Sequence, residues 1–115
     1  MKIIAMLVVI VLSFSFNGCS NCDGENPSVT LKNTGTGKAD IQVKTSGGNT
    51  ENINNVLSGT HSEARYFAPG NIEFTINIQG VADPVVYNLQ ASTCYDYVVR
   101  INEDNTVSAT SNERK

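Results

Sequence analysis

From position 72 to 79 apolar and polar side chains alternate without a break. Ile72, Phe74, Ile76 and Ile78 share one parity, and Glu73, Thr75, Asn77 and Gln79 share the other. A strand turns successive side chains to opposite faces, so this pattern specifies a strand that is dry on one side and wet on the other. A dry face on a strand is stable only when a second layer covers it. The rest of the chain supplies that layer in the same idiom. Val29 and Leu31 alternate with Thr30 and Lys32, and Ala39, Ile41 and Val43 alternate with Asp40 and Gln42. Val85, Tyr87 and Leu89 follow, then Tyr95, Tyr97, Val99 and Ile101.

Turn chemistry separates these runs. Asn33–Gly37, Ser46-Gly47-Gly48-Asn49, Ser58-Gly59, Asp83-Pro84 and Glu103-Asp104-Asn105 are rich in residues that favour tight turns. Pro69-Gly70 suits a turn that needs a preset φ followed by a positive one. The segment from Glu51 to Leu57 is less regular, with Ile53, Val56 and Leu57 apolar, and His61 to Phe67 is a strand of ambiguous facing. A final strand is expected near Thr106 to Thr110, with 111–115 as a frayed tail. Seven or eight short strands and no helical stretch predict an all-β fold, an antiparallel β-sandwich of the broad Ig-like class, over residues 28–110. Short connections favour antiparallel neighbours. The chain has no Trp, so the Trp-on-disulfide core of antibody domains is absent.

The first eighteen residues read as an address. Lys2 precedes an apolar run from Ile3 to Phe16. That run is about 14 residues, short of the roughly 20 needed to span a bilayer, so 1–18 is expected to be a cleaved signal helix outside the fold. Asn17-Gly18-Cys19-Ser20 follows. A small residue before a cysteine at the end of such a run resembles the lipobox of bacterial lipoproteins. The resemblance implies a diacylglyceryl thioether on Cys19, cleavage before it and acylation of the new amino terminus. Phe16 and Asn17 depart from the commoner residues of that motif. Ser20, Asp23 and Glu25 resemble sorting and export signals of outer-membrane and surface lipoproteins. The implied location is a bacterial membrane, the outer one, with a periplasmic or surface-exposed domain carried on a lipidated tether at 19–27. Cys22, preceded by Asn21, is a poorer lipobox.

Lipidation also accounts for an odd cysteine count. Cys19, Cys22 and Cys94 are the three cysteines. With Cys19 acylated, Cys22 and Cys94 form an even pair in an oxidising compartment, and a disulfide between them is expected, with two free thiols as the alternative. If Tyr95, Tyr97 and Val99 face inward, Cys94 faces outward, and the bridge pins the tether to the outside of the domain.

Chemistry is sparse by comparison. Thr34-Gly35-Thr36-Gly37-Lys38 superficially suggests a phosphate loop, but Lys32 holds the upstream glycine position, Ala39 follows the lysine and a strand follows in place of a helix. His61 is the single imidazole, with Ser58, Ser62 and Glu63 nearby and no nucleophile motif around either serine. Glu103-Asp104-Asn105 is calcium-like in composition but reads as a hairpin turn. Two distant thiols and one His fall short of a metal site, and no cofactor is expected. The tyrosines are either core residues with hydroxyls at the rim or a carbohydrate-binding surface, with Tyr66 and Tyr87 the candidates for the latter. Eight basic against eleven acidic residues, net −3, disfavours a nucleic-acid partner. The expected function is a non-catalytic binding or structural module of the envelope with a protein or glycan partner. The alternatives are a soluble secreted inhibitor or immunity-type protein and, less favoured, an envelope-polymer hydrolase working through His61.

Overall fold

A computed structural model describes residues 22–115. The signal helix expected over 1–18 and the lipid site at Cys19 lie outside the described residues.

Two sheets pack face to face. The first orders β4 (Thr60–His61), β1 (Ser28–Asn33), β8 (Tyr95–Ile101) and β9 (Val107–Glu113), with β5 (Arg65–Tyr66) also paired to β1. The second orders β3 (Thr50–Val56), β2 (Ala39–Lys44), β6 (Gly70–Ile78) and β7 (Val85–Ala91). This is the β-sandwich that the alternation predicts. Phe74, Leu31, Ile41, Ile72, Ile76, Ile101, Val29, Val43 and Val99 are wholly enclosed between the layers. Fully burying a side chain of this kind stabilises the fold by about 1.5–3 kcal/mol relative to leaving it exposed. The faces follow the sequence: Tyr97, Val99 and Ile101 are buried while Val98 and Arg100 are exposed.

The differences from expectation have local causes. The ambiguous segment from His61 to Phe67 contains parts of two strands of two residues each, which raises the count among the described residues to nine. Lys32 pairs His61 and Val29 pairs Arg65, so one extra residue bulges out between β4 and β5. Beyond β5, Phe67 turns into the core. Ile53 and Val56 are both buried although three residues apart, because the β2–β3 register shifts between Ala39 and Ile41. Asn55 takes φ 63° there, and its N–H donates to Asp40 Oδ1 at 2.8 Å. The pairing is antiparallel except for β1 with β8, which run parallel with Val29 opposite Tyr97 and Leu31 opposite Val99. Strands β2–β7 lie between these two in sequence, so no short connection has to join them.

Residues 111–113 are not frayed. Strand β9 extends to Glu113, with Ser111 opposite Tyr97 and Glu113 opposite Tyr95. Only Val107 and Ala109 of β9 are apolar and half-buried, so ladder hydrogen bonds, which leave no apolar trace in sequence, hold its second half. Gly70 takes φ 116° as the first residue of β6, and a Cβ there would lie 2.9 Å from the Ser46 Cβ.

Candidate functional site

All strands run between two ends of the sandwich. One end carries the turns after β1, β3, β6 and β8; the other carries the entering chain, the β2–β3 and β7–β8 turns and the carboxyl terminus.

The entering chain is docked. Cys22 and Cys94 form a disulfide with Cα atoms 5.7 Å apart and 72 residues between them in sequence. Cys94 lies in the β7–β8 turn at φ 66°, and its N–H donates to Glu25 O at 2.9 Å. Arg114 returns from the end of β9 to the same place. Its N–H donates to Cys94 O, its Nη1 to Glu25 Oε1 at 2.9 Å and its Nη2 to Asn26 O at 2.6 Å. Its Nε lies 3.0 Å from Asp96 Oδ1, an ion pair off the hydrogen-bond line. Asp96 Oδ1 also accepts from Ser28 Oγ at 2.6 Å. The guanidinium sits 5.8 Å from the centre of the Tyr66 ring, within cation–π range. Pro27 is wholly buried and its carbonyl accepts from Phe67 N–H at 3.1 Å. Residues 22–27, which fall within the tether expected over 19–27, are thus held against the domain. Cys94 lies one residue before β8, in a left-handed turn conformation to which strand alternation does not extend. Nothing in the composition of the tail marked Arg114 as a contact residue, because a terminal arginine without apolar neighbours is indistinguishable from solvated charge.

Tyr66 and Tyr87 are not brought together. Tyr66 is exposed on β5, whereas Tyr87 on β7 is half-buried against the core. The β5 edge lies over β3, where Arg65 pairs Glu51 at 3.5 Å, and β7 lies at the other edge beside β9. Tyr97 is buried with its hydroxyl accepting from Ser92 N–H at 2.8 Å, and it stacks with Tyr95 at 6.0 Å between centroids.

The opposite end is an interlocked set of turns. Asn33, wholly buried, donates through Nδ2 to Gly37 O and Val56 O, both at 2.8 Å, and accepts Gly35 N–H at 2.9 Å. Asn105 holds Thr36 through two bonds of 3.0 Å, one to its N–H and one from Nδ2 to its hydroxyl. Two amides that a phosphate loop would aim at an anion are thus already committed. A Cβ on Gly35 would meet Asn105 Oδ1, and one on Gly37 would meet Gln79 O, each at 2.5 Å.

His61 lines a shallow depression with Asn54, Asn55, Ser62, Glu63 and Arg65. Its Nδ1 lies 2.9 Å from Ser62 O. Neither nearby serine hydroxyl is aimed at the ring: Ser58 Oγ donates to Gly35 O, and Ser62 Oγ donates to Glu63 O while accepting Leu31 N–H. In the 102–106 hairpin, Asp104 Oδ1 accepts the Thr106 hydroxyl at 2.6 Å and its N–H at 3.1 Å, and these bonds hold the exposed carboxyl below its ordinary pKa. Among the described residues no group of three or more His, Cys, Asp or Glu side chains is placed to hold a metal ion. Compared with known proteins, the chain matches no family model and no curated relative.

Proposed function

We propose that the protein is a bacterial envelope lipoprotein, anchored through acyl chains on Cys19, whose β-sandwich is a non-catalytic binding or structural module. The observation that carries this reading is Gly18-Cys19 at the end of an apolar run led by Lys2. The disulfide supports it: with Cys22 bonded to Cys94, Cys19 is the remaining cysteine of the three. Among the described residues no helix is long and apolar enough to cross a membrane. Residence there rests on lipid. Each buried methylene contributes about 0.8 kcal/mol, so one chain holds marginally and two or three hold firmly. The use of both serine hydroxyls near His61 by backbone groups supports binding over hydrolysis. The proposed location is the outer membrane, facing the periplasm or the surface, with a protein or glycan as partner.

Metabolic labelling with an alkyne fatty acid in a bacterial host tests the anchor. The wild-type chain is expected in the membrane fraction with label, and Cys19→Ala without it. Label retained in Cys19→Ala, or none in wild type, contradicts the reading.

A further inference from the structure

We propose that the end of the sandwich holding Cys22–Cys94 faces the lipid headgroups, and that the disulfide sets how closely it is held. This rests on acylation of Cys19. The acylated residue precedes the bridged Cys22 by three positions, so the intervening chain reaches at most about 11 Å. The domain is much longer than that leash. Strand β6 alone has nine residues, which at strand rise places the two ends about 30 Å apart. With so short a lead, the headgroup layer meets the β7–β8 turn, Arg114 and the β2–β3 turn. The interlocked turns around Asn33 and Asn105 are turned away from the membrane, where a partner reaches them.

Opening the bridge removes the covalent hold at Cys22 and leaves non-covalent ones, among them Glu25, whose carbonyl still accepts Cys94 N–H and whose carboxylate still pairs Arg114. Measured to Glu25 the leash is six residues long and reaches at most about 21 Å, roughly double. Lipid attachment is unchanged, while height and tilt are freed. The bridge thus converts a lipid anchor into an orienting one.

The chain has no Trp, so one introduced indole is a unique reporter. Thr93→Trp places it in the exposed β7–β8 turn, and Asp83→Trp in the exposed β6–β7 turn at the other end. Both acylated variants, purified from a bacterial host, are bound to vesicles of phosphatidylethanolamine and phosphatidylglycerol carrying a dansyl headgroup. Flotation and circular dichroism confirm binding and folding. Energy transfer from Thr93→Trp is expected to exceed that from Asp83→Trp on the order of threefold or more, given ends about 30 Å apart. Reductant is expected to lower transfer from Thr93→Trp without releasing protein from vesicles. Equal transfer from the two positions overturns the orientation and leaves the lipoprotein reading standing. Transfer unaffected by complete reduction overturns the role of the bridge. Wild-type protein that fails to float overturns the lipoprotein reading and this proposal together.

Discussion

Asn33 shows how a polar side chain is accommodated at the rim of this core. Its amide is wholly enclosed, and three backbone partners from two turns satisfy it. Removing it leaves buried backbone groups without partners, each costing about 1–3 kcal/mol. Asn33→Ala is therefore expected to lower unfolding free energy by about 3 kcal/mol, read as a lower urea midpoint at constant slope. Arg114 stands at the opposite end and in a different regime. Its partners Glu25 and Asp96 are 59% and 45% exposed, so solvent screens the pairs. Arg114→Ala is expected to cost only about 1 kcal/mol globally. Its larger signature is faster amide hydrogen exchange at Cys94 and in residues 23–26, and unchanged exchange there contradicts the docking role. Asp104 contributes a pH dependence. The Thr106 hydroxyl first, and then its N–H, hold the Asp104 carboxyl below its ordinary value of 3.8. Because the folded pKa is the depressed one, this contribution to stability is present above about pH 3.8 and is lost as pH falls through the folded value. Thr106→Val removes the hydroxyl bond and keeps the N–H bond, so a carboxyl NMR titration is expected to show Asp104 moving part of the way back.

At the level of elements, the strands are legible and their irregularities are not. Ile72 to Ile78 and Tyr97 to Ile101 show their facing by parity alone, because in each stretch every second residue is buried. Strand β3 breaks parity, since Ile53 and Val56 reach the same core only through the Asn55 bulge. An asparagine in a polar stretch does not announce a positive φ. Strand β9 loses its apolar face after Ala109, so pairing with β8 decides its length, and pairing leaves no mark in a single sequence. The bulge makes a direct prediction. Asn55→Gly is expected to be close to neutral, whereas the β-branched Asn55→Val is expected to destabilise by about 1–2 kcal/mol, because its left-handed backbone is strained. Paired denaturation curves for the two variants check it; equal stability contradicts the assigned conformation.

On the scale of the whole molecule, the sandwich and the bridge act together. Closing 72 residues contributes about 4 kcal/mol in the chain-entropy picture. Reduction is expected to lower the unfolding midpoint accordingly. The cysteine pairing was legible in the sequence because the lipobox-like Gly18-Cys19 set one of the three cysteines aside and left Cys22 and Cys94 as an even pair. The cradle of Arg114, Tyr66, Asp96 and Glu25 around that bridge was not, since it joins positions up to 89 residues apart with no shared motif. The decisive measurement is the intact mass of the mature protein from a bacterial membrane, alkylated without reductant. The account predicts a chain beginning at Cys19, carrying diacylglyceryl and amide-linked acyl mass, and taking up no alkyl groups. A chain beginning elsewhere or bare of acyl mass contradicts the anchor, and two added alkyl groups contradict the bridge.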